Sequence, residues 1–288
     1  MKKINISGLG ALLLFSACSQ SESPVFNDDQ IRFSANYPGA ISSRVSNNRF
    51  ENGDIMGIYM TEYVDQTPSP LQLSGNFLTN VPTVYNGYNW QCTPAMYWGD
   101  GKYDIYAYYP YDGEPYSVDE YKFTIDSDQS VSSGYEASDF LWAKASGVER
   151  MDMVPLSFNH SMSKLVVKLA AGIEYEGELP NDAKVVIHNT VPTALIDLST
   201  GLVNKDSRSS EKSIIAQKNV DGSYSAIIVP QRIQNHIPLI EIICNDVSYL
   251  VESAFIFRPG VQHTVTVTLD SNPDKVRIQV GGEIQNWN

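Results

Sequence analysis

The sequence predicts an all-β protein built as two tandem Greek-key β-sandwich domains. Three observations predict it. Short runs that alternate apolar and polar residues recur about every ten residues, with turn residues between them. Long Leu/Ala/Glu/Lys windows with helical spacing are absent, so βαβ crossovers have nothing to be built from. Aromatic residues make up 11% of the chain, 17 of them tyrosine, and such side chains suit a half-buried pleated surface. Once an N-terminal signal is removed, about 270 residues remain, enough for two domains of ordinary size.

The elements follow in order. Met1-Lys-Lys3, a mostly apolar run from Ile4 to Phe15 and then Ser16-Ala17-Cys18 have the n-region, h-region and small residues of a secretory signal. The apolar part is shorter than the roughly 20 residues a membrane span needs. Cys18 stands where a bacterial lipobox requires its cysteine. Residues 1–17 therefore resemble a lipoprotein signal peptide, cut before Cys18, whose thiol takes a lipid that tethers the protein to a membrane. An ordinary signal followed by an incidental cysteine is the alternative. Residues 18–29 are polar and read as a flexible tether.

Residues 30–157 read as the first sandwich. Gln30–Ala35 alternates Ile31, Phe33 and Ala35 against polar neighbours. Asp54–Met60 follows the turn pair Gly53-Asp54, and Lys102–Tyr109 follows Gly99-Asp-Gly101 and stops at Pro110. Tyr121–Ile125 alternates again. The connections Thr61–Val81 and Asp126–Ser138 are rich in Pro, Ser, Gly and Asn, and read as surface loops.

Residues 158–288 read as the second sandwich, entered through Pro155-Leu-Ser-Phe158. Ser163–Ala170 places Leu165, Val167 and Leu169 on one face. Lys184–Asn189 and Tyr224–Val229 are further strands. His236–Cys244 and Ser248–Val251 flank Asn245-Asp246, a tight hairpin turn. His263–Leu269 faces Val265, Val267 and Leu269 inward, with threonines between them. Val276–Val280 repeats the pattern, Gly281-Gly282 reads as a bulge or kink, and Glu283–Trp287 resumes as a last strand.

Composition limits the partners. Lys+Arg number 20 against Asp+Glu 33, a net charge of −13. A dispersed negative surface repels nucleic acid and anionic headgroups, so no nucleic-acid partner is expected. Cys92 and Cys244 are read as two buried free thiols, with a disulfide as the alternative.

Motifs for chemistry are sparse. The sequence has no His-Glu-x-x-His, Gly-x-Ser-x-Gly or Walker pattern. His160, His188, His236 and His263 are scattered singly, so neither a metal nor a cofactor is expected. Ser161-Met-Ser-Lys164 matches a Ser-x-x-Lys pattern that needs a helix, but it runs into a strand pattern. Carboxylates are numerous without any pair standing out, and solvated loop charges are preferred to a glycosidase acid and base. Tyr103, Tyr106, Tyr108, Tyr109 and Tyr111 could stack on sugars, but core positions are preferred.

Several stretches together resemble the fimbrillin family of Bacteroidales, including the Mfa-like lipoproteins. They are Phe50-Glu-Asn-Gly-Asp-Ile-Met-Gly-Ile-Tyr59, Tyr106-Ala-Tyr-Tyr-Pro-Tyr111, Asp139-Phe-Leu-Trp-Ala143, Val154-Pro-Leu-Ser-Phe-Asn-His-Ser-Met-Ser-Lys-Leu165, Phe257–Leu269 and Ile284-Gln-Asn-Trp287. The resemblance implies transthyretin-like sandwiches and export to the outer membrane surface as a lipoprotein. It implies a non-enzymatic subunit of a type V pilus, supporting adhesion. In such assembly a trypsin-like protease removes the first strand, and a strand from the next subunit fills the groove. Mapped here, the cut falls after Arg44, with Arg32 and Arg49 as weaker candidates, and Cys18 leaves with the discarded strand. The donor is Lys275–Trp287, with Val276, Ile278, Val280, Ile284 and Trp287 as plugs; completion of its own domain is the alternative use of this segment. The alternative function is a non-polymerising surface lipoprotein, namely an anchor, a tip subunit or an adhesin for glycan or host protein.

Overall fold

Alternation puts one face of each strand in the interior, and in the computed structural model, which describes residues 29–38, 49–285 and 287, such strands make up nearly all of the regular secondary structure. The protein is all-β, as predicted. Among the described residues, the helical elements are α1 (Ser132–Glu136) and a 3-10 turn at Pro273–Lys275.

The first half supplies β1 (Arg32–Asn36), β2 (Ile55–Val64), β3 (Thr67–Pro68), β4 (Leu78–Tyr85), β5 (Trp90–Cys92) and β6 (Lys102–Tyr109). It continues with β7 (Tyr121–Thr124), β8 (Leu141–Glu149), β9 (Val154–Ser157) and β10 (Asn159–His160). The main sheet runs β10-β8-β6-β2-β4-β5-β1-β9, with β3 paired to β2. Its two rims, β9 and β10, are consecutive in the chain and separated only by Phe158, so the sheet bends back on itself.

The second half supplies β11 (Ser163–Ala171), β12 (Lys184–Thr190), β13 (Thr193–Asp197), β14 (Leu202–Lys205), β15 (Lys212–Ile215), β16 (Gln217–Lys218) and β17 (Tyr224–Ile228). Then come β18 (Gln231–Ile233), β19 (Pro238–Cys244), β20 (Val247–Glu252), β21 (Phe255–Phe257), β22 (Val261–Leu269) and β23 (Arg277–Gln285). One sheet is β16-β17-β11-β22-β23 and another β15-β12-β19-β20; β14-β13-β7 and β18-β21 form smaller ones. Asn245 and Asp246 both take positive φ, 50° and 59°, and turn β19 into β20 as a tight hairpin should. In β22 the odd positions Val261 to Leu269 are buried and the threonines between them are half-exposed, as the alternation predicts.

Two predicted loops are corrected. β2 runs through Thr61 to Val64, because Asp65 and Gln66 take positive φ and turn the chain into β3. Asp126–Ser138 is not a surface loop: it carries α1, and Gln129 and Ser138 are fully buried. The Gln129 amide accepts from Ile227 N–H at 2.7 Å and donates to Ile227 C=O at 2.8 Å, replacing a strand neighbour. Ser138 donates to Gly134 C=O at 2.7 Å. These bonds remove the cost of burying an irregular segment.

Buried side chains form two clusters. One lies inside the bent sheet and includes Ile31, Phe33, Trp90, Trp98, Tyr103, Ile105, Val154 and Leu156. The other joins the later sheets through Val185, Ile187, Ala226, Ile228, Val265 and Val267. The clusters do not divide cleanly at residue 157. β7 pairs with β13, and Tyr121, Phe123 and Ile125 belong to the second cluster, as do Tyr59, Tyr106 and Tyr108. Strand β6 therefore lies between two cores, with Tyr103, Ile105 and Ala107 facing one and Tyr106 and Tyr108 facing the other. Cys92 and Cys244 are buried free thiols, and burial pushes the Cys92 thiol up to about 11.

Candidate functional site

The first strand and its seat form the most distinctive arrangement in the molecule. β1 lies between β5 and β9, antiparallel to β5 (Phe33 opposite Trp90) and parallel to β9 (Phe33 opposite Val154, Asn36 opposite Ser157). Just upstream, Ile31 N–H donates to Met96 C=O at 2.9 Å and Trp98 N–H to Asp29 C=O at 2.8 Å. Ile31 and Phe33 are 0% exposed, and Ala35 packs against the same cluster. Burying each of the two large side chains contributes about 1.5–3 kcal/mol. A strand held by main-chain bonds on both edges and by alternate apolar side chains is a seat that reads an extended peptide.

The strand ends on a polar clasp. The Tyr37 hydroxyl donates to Asp139 Oδ2 at 2.6 Å, and burial followed by the Asp139 charge pushes that phenol well above its ordinary range. Asp139 Oδ1 lies 2.8 Å from His160 Nδ1. His160 Nε2 donates to the Trp287 carbonyl at 3.1 Å, and the indole of Trp287 stacks on the imidazole with centroids 4.0 Å apart. Both ring nitrogens thus face oxygen. Tyr37 also meets His160 edge-on at 5.6 Å and Phe50 at 5.3 Å. A cavity of about 330 Å³ opens beside this clasp, walled in part by Arg49, Tyr109, Tyr135 and Lys164.

The last strand is held differently. β23 pairs with β22 along its length and leaves its other edge unpaired among the described strands. Thr264 opposes Gly282 and Val265 opposes Val280, so Gly281 is the extra residue of the predicted bulge, where an added Cβ would meet Thr264 C=O at 3.1 Å. Val276 and Ile278 pack against the second cluster, whereas Val280 and Ile284 are 57% and 55% exposed. Trp287 is 3% exposed. Ion pairs tie the segment to its own half, Lys275 to Glu174 at 2.6 Å and Arg277 to Asp270 at 3.8 Å, and His263 Nδ1 lies 3.2 Å from a Glu283 oxygen. Arg258 also pairs with Glu283. Burial is the main cause holding the His263 imidazole below its ordinary value, with Glu283 opposing it.

Cys18 and Arg44 lie outside the described residues. Arg49 is exposed, and Arg32 lies within β1. The five plug positions all lie on the last strand or its flanks, but they divide into two packed, two exposed and one clasped. Tyr103, Tyr106 and Tyr108 of β6 are core and offer no sugar platform, while Tyr109 is half-buried beside the cavity. Ser161 and Lys164 lie on an extended segment entering β11 and not on a helix. Among the described residues no group of His, Cys, Asp and Glu has the geometry to hold a metal.

The Asp139–His160 pair escaped sequence reading. Both residues sit inside quoted motifs, yet nothing in a single sequence pairs positions 21 apart.

Comparison with known proteins agrees with this architecture. The model of a family described as fimbrillin-like matches residues 43–287. A candidate cell adhesion protein of Bacteroides ovatus superposes with a TM-score of 0.68 at 20% identity, covering 90% of this chain and 98% of that one. A second, from Bacteroides uniformis, gives 0.66 at 17% identity over 91% and 99%. A fimbrial protein of Bacteroides vulgatus gives 0.54 at 12% identity over 89% and 99%. At these identities the likeness is one of fold. No curated protein matches the chain. No helix among the described residues is long and apolar enough to cross a membrane.

Proposed function

The chain belongs to the fimbrillin-like family, and on that premise we propose that it is a non-enzymatic structural subunit of a surface fimbria, assembled by strand exchange and supporting adhesion. The observation that carries this reading is the seat of β1. A short N-terminal strand fills a two-edged apolar slot, with Ile31 and Phe33 fully buried. Cleavage after Arg44 would cut β1 from the rest of the chain and expose the edges of β5 and β9 beside Trp90, Val154 and Leu156. Such an open slot accepts an extended strand by main-chain bonding and rejects wrong registers by side-chain fit. The donor is the segment Lys275–Trp287 of another subunit, whose exposed Val280 and Ile284 offer apolar side chains before assembly. A lipid on Cys18 holds the precursor at the outer membrane, and the anchor departs with the first strand. The names of the structural neighbours, fimbrial and candidate cell adhesion proteins, support the same setting.

One observation favours a second reading. The last strand already completes its own sheet, with pairs from Val261–Gln285 to Thr268–Arg277. A subunit that keeps this strand at home would act as an anchor, a tip or a monomeric adhesin for glycan or host protein. Limited trypsin treatment separates the two. Strand exchange predicts a new N-terminus at Val45 and SDS-resistant ladders. A monomer that keeps β1 packed after digestion contradicts it.

A further inference from the structure

We infer that Asp139 and His160 form a clasp that couples the two ends of the protein, so that loss of the first strand loosens the last. The two residues come from two sequence motifs, Asp139–Ala143 and Val154–Leu165, and neither pairs with β1 in the sheet. The clasp is a linear relay. Tyr37, one residue beyond β1, donates to one oxygen of Asp139 at 2.6 Å. The other oxygen lies 2.8 Å from Nδ1 of His160, and the far nitrogen of that ring holds the Trp287 carbonyl at 3.1 Å. The imidazole also packs flat under the Trp287 indole, 13° from parallel.

Every member bears on its neighbour's state. Asp139 keeps the His160 ring oriented, so that its far nitrogen stays aimed at the Trp287 carbonyl. Tyr37 donates the second bond to Asp139 and closes one side of the ring edge-on. The half-buried Lys164 lies nearby; burial is the larger influence on its ammonium and lowers its basicity, while the Asp139 charge opposes it. Removal of Tyr37 takes a charge-assisted bond from a carboxylate that is largely withdrawn from water, and such a carboxylate reorganises to regain partners. Its bond to His160 is then free to change. Trp287 is the only one of the five plug positions with almost no exposure, while Val280 and Ile284 on the strand before it are open to solvent. The strand is thus pinned at its end through the clasp, and loosening that pin raises the opening of residues 277–285.

Use of this coupling in assembly rests on the strand-exchange reading: a subunit would release its donor end only after its own first strand had gone. The coupling itself is measurable in the uncut chain. Hydrogen exchange of the β23 amides is compared in the wild type, Tyr37→Phe and Trp287→Ala, with the amides of β12 as the control. Tyr37→Phe is expected to speed β23 exchange about tenfold, the factor of one charge-assisted hydrogen bond, and Trp287→Ala at least as much, with β12 unchanged. Unchanged β23 exchange in Tyr37→Phe, alongside faster exchange in Trp287→Ala, overturns the coupling. No response to Trp287→Ala overturns the pin. Equal acceleration in β12 also overturns it, since the effect would then run through global unfolding. If β23 responds but trypsin yields no ladder, the assembly reading falls and the coupling stands.

Discussion

The first and last strands are of similar character in sequence, short alternating runs near a chain end, yet they are held in opposite ways. β1 has a neighbour on each edge, with Phe33 and the preceding Ile31 fully buried, and only four residues of main-chain register with β9. β23 has a neighbour on one edge, a bulge at Gly281 and ion pairs along its flank. The difference is one of mechanism of attachment. A seat made of apolar depth holds whatever strand fits it, and an edge strand secured by partly exposed charges can leave without emptying a core. An acceptor and a donor of the same chain need those two properties respectively.

Substitutions sharpen the comparison. Phe33→Ala removes a ring from the closed cluster and should cost about 3–5 kcal/mol in denaturant unfolding. If the loss is below about 1 kcal/mol, the seat is not the apolar slot described.

The next effect compares a buried carboxylate with an exposed one. Asp104, 2% exposed, accepts from Tyr63 at 2.9 Å and Gly147 N–H at 2.9 Å, and pairs with Lys144 at 3.2 Å. Asp104→Asn should cost about 1–3 kcal/mol at neutral pH. Burial, the largest influence on Asp104, raises its carboxyl, but the three partners together bring it below the ordinary value of 3.8. The folded state therefore binds this proton less readily than the unfolded chain. Its contribution is complete above that ordinary value and fades as pH falls below it through the folded value. The stability gap between wild type and Asp104→Asn should narrow in acid below about pH 4; a gap that widens there contradicts the assignment.

Glu283→Gln, at the partly exposed ion pairs of β23, should cost only about 0–1 kcal/mol, and added salt should shrink the difference. A larger, salt-insensitive loss would make β23 as firmly built in as β1. Smallest of all, Ile284→Ser should change monomer stability by less than about 0.5 kcal/mol. The same substitution should abolish trypsin-induced ladders, read on unboiled gels. A stable monomer that still polymerises would remove Ile284 from the donor face.

Much of this was legible in the residues. The alternation in His263–Leu269 set which side of β22 is buried, and Asn245-Asp246 marked the hairpin, because both signals are local. Gly281-Gly282 marked a bulge for the same reason. What stayed hidden depends on distant partners. Six consecutive buried positions from Tyr103 to Tyr108 look like a strand with one solvent face until the second core is known to cover it. Residues 126–138 carry loop composition, and it is bonds to Ile215 and Ile227, far along the chain, that make Gln129 a core residue. The seat was legible as Ile31, Phe33 and Ala35, but not the clasp at its end, since Tyr37, Asp139, His160 and Trp287 share no local pattern.

The most direct test of strand exchange uses a peptide spanning residues 275–288. Binding of the labelled peptide is followed by fluorescence anisotropy on the uncut protein and on protein trimmed by trypsin after Arg44. The account predicts saturable binding to the trimmed protein, none to the uncut protein, and loss of binding when Val280 and Ile284 of the peptide become serine. Trimmed protein that has lost β1 and still ignores the peptide would contradict it.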